Sequence, residues 1–449
     1  MKKIFQYIML AVVTIVMASC TSDIEETTAT TGKSNVQLVV GEFPAFGDSQ
    51  TRAIGTPDEG KTSWAEGDEL LLEIDNTSYG KQYATFTYNG KSWELTSGEL
   101  VYLEGDPAYI SHVYYAPNYK WSNSSLMLKK GKVAGTDELI EGKARITGNG
   151  ETITVSFAEA TRKYSRLRIA TLPNEQITVD TEYFTPAGSS DMKWDQNYTL
   201  TSDEKGNAYL YGTFENNSEV TVKYREAALT TYTFSQATES AKSYALDATV
   251  ISANSAEEIK SAIEQKVADG KTTIRLNLAP NAGTNEFMAI REAIKGAAPN
   301  DLGTIELTII GVETIPKEAF YKMLQLKSVR MSDVKEIKKY AFKECQYLTV
   351  VEAPSLNKLN SGAFNKCNLL SKLTFGPINY ADERNWPIFE YITPNIDLIL
   401  SDYQKEMIET DSYLYTANND RDYAGSDEHN SKNFLGREFR SITCRYKVK

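Results

Sequence analysis

Histidine is nearly missing from this chain: His112 and His429 are the only two in 449 residues. Cysteine is almost as scarce, with four, and they form no Cys-x-x-Cys pair and no Cys/His cluster. These shortages exclude a structural zinc module and a relay built on histidine acid–base chemistry. The sequence holds no G-x-S-x-G elbow, no H-E-x-x-H pair, no phosphate loop and no dinucleotide fingerprint. Acidic residues are plentiful, yet no pair stands apart, and paired glycosidase carboxylates are identified by their separation in space. Positive charge is also short: 48 Lys and Arg against 60 Asp and Glu give a net charge of -12. That argues against a nucleic-acid partner and against polybasic membrane contact. Long apolar runs are absent except at residues 4–18, too short to span a bilayer comfortably. Catalysis is not expected, and neither is a cofactor or a metal.

What the chain does have is a repeat. The pattern Ile315-x-x-x-Ala319-Phe320-x-x-Met323-x-x-Leu326 returns as Ile337, Ala341, Phe342, Cys345, Leu348, and again as Leu359, Ala363, Phe364, Cys367, Leu370. Each copy lies 22 residues after the last. The columns Leu307/Val329/Val351/Leu373, Ile309/Met331/Ala353/Phe375 and Val312/Val334/Leu356 keep the same register and are apolar throughout. A fixed period of this length predicts a solenoid, each turn burying its apolar face against its neighbours. Leu307-Thr308-Ile309 and its equivalents read as short strands of a parallel ladder. The Ala-Phe pair is expected to begin a short helical or 3₁₀ turn, with Phe filling the axis. Cys345 and Cys367 share one column, either as buried apolar thiols or as a disulfide between turns, which would need Cα atoms within about 7 Å.

These residues resemble the BspA-like leucine-rich repeat family over residues 305–376. About three turns are read, close to the minimum for a stable stack, so both ends need caps. Residues 253–304 are expected to cap the start, with helices at Ala256–Ala268 and Phe287–Ile294 and a strand at Thr272–Leu278. Residues 377–449 are expected to cap the end, with strands at Ile396–Leu400 and Phe439–Tyr446 and a polar loop at 409–433. Asp420, Asp422, Asp427 and Glu428 in that loop read as solvated residues or as a calcium site.

Lys2 and Lys3, the apolar stretch and Met17-Ala18-Ser19-Cys20 resemble a lipoprotein signal peptide over residues 1–19. The resemblance implies acylation of Cys20 and an anchor in outer-membrane lipid; an ordinary signal peptide with an incidental Cys is the other reading. Residues 20–34 form an acidic tether, and its Asp23-Ile24-Glu25-Glu26 cluster implies surface exposure or plain solvation.

Residues 35–250 alternate in short apolar segments with turn signals between them, which predicts antiparallel β-sandwiches. Strands are expected at 36–40, 70–74, 83–88, 109–115, 152–157 and 167–170, with tight turns at Asn89-Gly90 and Gly148-Asn149-Gly150. Thr51-Arg52-Ala53, Trp64-x-x-Gly67-Asp68 and Ala84-Thr85-Phe86-Thr87-Tyr88 together resemble the fimbrillin family. That resemblance implies two transthyretin-like sandwiches, over residues 35–165 and 166–252. It also implies a candidate protease site at Arg52, whose cleavage would remove the first strand (35–44) and open a groove for another subunit's strand. A solvated loop Arg that is never cut is the other reading. Trp64 reads as a core aromatic and Gly67-Asp68 as a tight turn.

The fold class expected is therefore a mainly β N-terminal half with a short α/β leucine-rich-repeat solenoid. The function expected is cell adhesion by an outer-membrane lipoprotein, either free-standing or held in a fimbrium as a tip or accessory subunit. The solenoid would bind a host or bacterial surface protein or glycan without catalysis. The columns Lys327/Thr349/Ser371 and Arg330/Glu352/Thr374 vary from turn to turn as a recognition face would. A glycan-binding component of a polysaccharide-capture system is the alternative, to be marked by clustered exposed Trp or Tyr; the repeat strands carry few.

Overall fold

The computed structural model describes residues 37–44, 46, 61–76, 80–100, 108–147, 152–157, 162–225, 227–382, 387–392, 395–402, 433–435 and 437–446. It is mainly β. The strands of the first part are β1 (Gln37–Val40), β2 (Glu69–Asn76), β3 (Gly80–Tyr88), β4 (Trp93–Gly98), β5 (Ala108–Tyr115), β6 (Tyr119–Ser122), β7 (Ser125–Leu128), β8 (Ile140–Glu141), β9 (Lys143–Thr147) and β10 (Thr152–Ser156). They form a five-stranded sheet, β4-β3-β2-β5-β8, a three-stranded sheet, β1-β10-β9, and the hairpin β6-β7. Leu38, Leu70, Leu72, Phe86, Val113, Ile153 and Val155, drawn from both sheets, share one core. The turn between β3 and β4 is held by Asn89, whose Oδ1 accepts from the Lys91 and Ser92 amides while Gly90 sits at φ 88. The turn expected at residues 148–150 lies outside the described residues.

Seven strands follow: β11 (Ser165–Ala170), β12 (Gln176–Pro186), β13 (Lys193–Thr201), β14 (Asn207–Phe214), β15 (Glu219–Tyr224), β16 (Ala227–Thr233) and β17 (Ser243–Asp247). They make one sheet in the order β16-β15-β12-β14-β11-β17, with β13 on β12. The antiparallel expectation needs correcting at two places: β1 runs parallel to β10, and β11 runs parallel to β17. Alternation along one strand sets which face is buried, not the direction of its neighbour, so the sequence pattern carried no signal of this.

The remainder starts with β18 (Ile251–Ala253), α1 (Ala256–Ala268), β19 (Thr273–Leu278) and α2 (Thr284–Ala297). Ser255 caps α1 by accepting from the Glu258 amide, and the Glu258 carboxylate accepts from the Asn254 amide. Long strands β20 (Ile305–Ile310), β22 (Leu326–Arg330), β24 (Val350–Ala353), β26 (Lys372–Phe375), β28 (Asp397–Ser401) and β31 (Ser441–Tyr446) alternate with short ones, β21 (Thr314–Ile315), β23 (Glu336–Ile337), β25 (Lys358–Leu359) and β27 (Tyr380–Ala381). A small hairpin, β29 (Asn433–Phe434) and β30 (Arg437–Glu438), precedes β31. The long strands join β18 and β19 in an eight-stranded sheet in which every pairing is parallel; the short strands form a second parallel ladder of four.

Register follows the sequence repeat: Leu307 pairs with Val329, Val329 with Val351 and Val351 with Leu373. Every column residue of the three copies is buried. Phenylalanines stack along the axis, Phe320 to Phe342 at 5.1 Å and Phe342 to Phe364 at 5.4 Å. Phe287 of α2 meets one end at 5.6 Å and Phe389 the other at 5.7 Å.

The Ala-Phe segment is a run of hydrogen-bonded turns, not the helical turn expected. Two positions in each copy are left-handed: Glu318, Tyr340 and Gly362, then Lys322, Glu344 and Lys366, all at φ 56 to 63. A left-handed residue every fourth position breaks any helix. Amides instead reach the next copy, Phe320 to the Ala341 carbonyl and Phe342 to the Ala363 carbonyl.

A further turn extends past residue 376, beyond the boundary expected. Leu373 pairs with Leu398, the Phe364 amide donates to the Ile388 carbonyl, and Tyr391 is left-handed at φ 58 where Lys366 was. The step here is 25 residues, so a strict 22-residue period hides it.

The repeat joins the preceding sheet tightly. Buried Arg275 donates from Nε to the Leu229 carbonyl at 2.6 Å, Lys266 Nζ donates to Thr249 Oγ1 at 2.7 Å, and Ile310 enters the core of β11–β17.

Candidate binding surfaces

Cys20 and Arg52 lie outside the described residues, as do His429 and the acidic residues of 409–433. The other motifs have clear places. Trp64 packs against Phe43, Trp93 and Tyr115 at 4.9 to 5.4 Å, and its Nε1 donates to the Gly41 carbonyl at 2.8 Å. Gly67 takes φ 90, and Asp68 accepts from the Ala65 amide at 2.7 Å, from Lys61 Nζ at 2.7 Å and from the Tyr115 hydroxyl at 3.3 Å. The Trp64-x-x-Gly67-Asp68 motif is thus a turn that locks the chain after β1 to the start of β2. His112 is an exposed strand residue stacked on Tyr114, with Nδ1 3.4 Å from Glu141.

Among the described residues, β1 is the outer strand of its sheet and pairs only with β10. Leu38, Val39 and Phe43 are nonetheless buried. Phe46 follows, with the guanidinium carbons of Arg162 and Arg166 at 4.0 and 4.6 Å from its ring centroid. Arg162 is itself buried and pairs with buried Glu138 at 2.8 Å. Burial pushes the Glu138 carboxyl up against the opposing pull of Arg162.

On the repeat, the two variable columns face outward but are partly structural. Thr349 Oγ1 donates to the Lys327 carbonyl at 2.8 Å, and Ser371 Oγ to the Thr349 carbonyl at 3.1 Å. Lys327 pairs with Glu306 at 2.8 Å and Arg330 with Glu352 at 3.0 Å. Cys345 and Cys367 are reduced, buried thiols that donate to the Phe320 and Phe342 carbonyls at 2.9 and 3.0 Å. Burial pushes the Cys345 thiol up to about 12.

The turns that carry the Ala-Phe pairs present an edge that sequence periodicity missed. Lys322 lies 5.2 Å from the Tyr321 ring centroid, Lys339 4.8 Å from Tyr340, and Lys366 5.9 Å from Tyr391. Lys343 reaches two rings, Tyr340 at 4.7 Å and Tyr321 at 5.9 Å. Backbone bonds tie these turns together: the Lys322 amide donates to the Lys343 carbonyl, Glu344 to Asn365 and Lys366 to Glu390. The signal available in the sequence was a Lys beside each Ala-Phe pair and a Tyr beside the first two, polar positions that a search for apolar columns passes over.

A groove of about 710 Å³ runs between Arg225, Pro280, Gly311, Glu313 and Lys335. Lys335 pairs with Glu313 at 2.5 Å, the nearby Asp333 accepts from the Gly311 amide at 2.8 Å, and the Arg225 guanidinium lies 4.9 Å from the Tyr224 ring centroid. Among the described residues, no group of three or more His, Cys, Asp or Glu could hold a metal ion. No helix among them is long and apolar enough to cross a membrane.

No curated protein matches this chain. Residues 303–407, which include the stacked turns and the 25-residue step, match the family described as the BspA type leucine rich repeat region, in 6 copies. This segment is a leucine-rich repeat region of the BspA type.

Proposed function

We propose that this chain is a lipid-anchored cell-surface protein that acts in adhesion, with the repeat as its non-catalytic binding surface. The observation that carries the reading is the repeat itself, whose outward sheet face and turn edge are left accessible while its apolar columns are all consumed within the stack. Stacked repeats of this kind offer extended surfaces built for contact. Residues 1–19 would be the signal peptide, Cys20 the acylated anchor in the outer membrane, and 20–34 the tether. Residues 253–304 and the residues that follow the further turn would close the two ends of a solenoid.

The N-terminal half would be two fimbrillin-like sandwiches, 35–165 and 166–252. One symmetry supports that division: the first strand of each set lies parallel to the last, β1 on β10 and β11 on β17. The same geometry supports strand exchange with other fimbrial subunits. β1 sits at a sheet edge yet fills the core with Leu38, so losing it after a cut at Arg52 would leave an apolar groove beside β10. A fimbrial tip or accessory subunit is the role this suits. Glycan capture is favoured as a second reading by the tyrosines of the turn edge.

Mass spectrometry of the mature N-terminus of native protein tests the assignment. An acylated Cys20 supports the anchor, and an additional species starting at Ala53 supports activation and entry into a fimbria. An unmodified N-terminus at any other position would overturn the lipoprotein reading.

A further inference from the structure

The basic and aromatic edge stands out because the chain as a whole carries a net charge of -12. Lys322, Lys339, Lys343 and Lys366 lie along it, and Arg291 and Lys295 of α2 extend it at the start. Arg291 touches the first turn directly, donating to the Glu318 carbonyl at 3.0 Å. The Lys295 ammonium is held below its ordinary range by burial and then by the charges of Arg291 and Lys322, as expected where cations crowd. The carboxylates within the edge are engaged: Glu318 pairs with Lys317 at 3.3 Å. Glu344 is shared between Lys322 at 3.6 Å and Lys343 at 4.0 Å, and Glu390 is engaged by Asn365 Nδ2 at 2.6 Å. Lys366 makes no ion pair among the described residues.

From this geometry we infer that the turn edge binds an anionic polysaccharide, with Lys322, Lys343 and Lys366 on its carboxylate or sulfate groups and Tyr321, Tyr340 and Tyr391 against its sugar rings. The inference rests on the reading of the repeat as a binding surface and names the partner. Three features favour an acidic glycan. Stacking on tyrosine holds the ammonium groups in place before binding, which lowers the entropy cost of immobilising them. Tyrosine offers a flat apolar face and a hydroxyl, matched to a sugar's C–H face and its hydroxyls. The edge repeats once per turn, and at the usual strand spacing its four turns span on the order of 15 Å, suited to a linear polymer. A bilayer is a poorer fit, because the edge has little to insert: among the described residues of these turns, Leu369, at 52% exposure, is the one large exposed aliphatic side chain. An acidic peptide would use the lysines alone, so the tyrosines decide between the two.

The test uses the full mature chain against immobilised heparin, hyaluronan, neutral dextran and poly-glutamate, with phosphatidylglycerol vesicles alongside. Heparin and hyaluronan should bind, more weakly as salt rises, and dextran should not. Lys322→Ala, Lys343→Ala and Lys366→Ala combined should weaken glycan binding at least tenfold. Tyr321→Ala with Tyr391→Ala should weaken it severalfold and weaken any poly-glutamate binding clearly less, since the peptide loses only the pre-positioning of the lysines. All these side chains are at least partly exposed, so an unchanged melting temperature is expected and serves as the folding control. Absence of binding to both acidic glycans overturns the inference, as does binding to poly-glutamate or vesicles that matches heparin and ignores the tyrosines. If glycan binding fails while cells bearing the protein still attach to a surface, this inference falls and the adhesion reading stands.

Discussion

Replacing Phe342 with alanine should cripple the repeat and spare the first sheets. Phe342 is fully buried and stacked on both sides, at 5.1 Å from Phe320 and 5.4 Å from Phe364. A core Phe→Ala change costs about 3–5 kcal/mol through lost transfer energy and the cavity left behind. Two ring contacts, each worth about 0.5–1.5 kcal/mol, place this site in the upper half of that range, near 4 kcal/mol or about a thousandfold in an opening equilibrium. Hydrogen exchange read by mass spectrometry on the whole chain resolves where the loss falls. Amides such as Phe320 and Phe342, which donate across copies, should lose about three decades of protection; those of β2 and β3 should keep theirs. Loss below tenfold, or equal loss in both parts, would refute a continuous aromatic axis as the source of the repeat's stability.

Other perturbations test other links. Arg162→Ala strands the buried Glu138 carboxylate and should cost about 3–5 kcal/mol in chemical denaturation, whereas Arg162→Met with Glu138→Gln should cost far less. Gly67→Ala meets no atom and should lose only the conformational term, about 1–2 kcal/mol, while Gly98→Ala would drive a methyl into the Tyr83 carbonyl and should lose clearly more; melting of the two variants side by side decides this. The Cys345 thiol, raised from 9.0 to about 12 in the fold, favours the native state while it stays protonated. Its contribution is complete below pH 9 and falls by about 1.4 kcal/mol per pH unit above it, so Cys345→Ala should flatten the alkaline decline of stability. A slope identical to the wild type between pH 9 and 10.5 would contradict a buried neutral thiol there.

The repeat was legible because a stack of turns imposes one apolar demand at one spacing, and Leu307, Val329, Val351 and Leu373 answer it at an unbroken interval. The next turn was not, because extra residues before Ile388 shift Phe389 and Leu398 out of that interval while the hydrogen bonds continue. The turn conformation was hidden for a different reason. Glu318, Tyr340 and Lys322 are ordinary residues forced left-handed by contacts with the next copy, and local propensity does not register such contacts. Strand direction in the N-terminal half was equally silent, since β1 would show the same alternation beside a neighbour of either sense. The lysine and tyrosine edge was not legible either. Its members differ from turn to turn, Tyr321 and Lys343 in one column and Lys322, Lys366 and Tyr391 in the next, so only the fold brings them onto one surface.

Attachment of intact cells is the most direct test of the central claim. Cells making the full chain should adhere to at least one host protein, glycan or bacterial surface, cells lacking it should not, and soluble mature chain should compete the difference away. Equal attachment of the two across all such surfaces would contradict a role in adhesion.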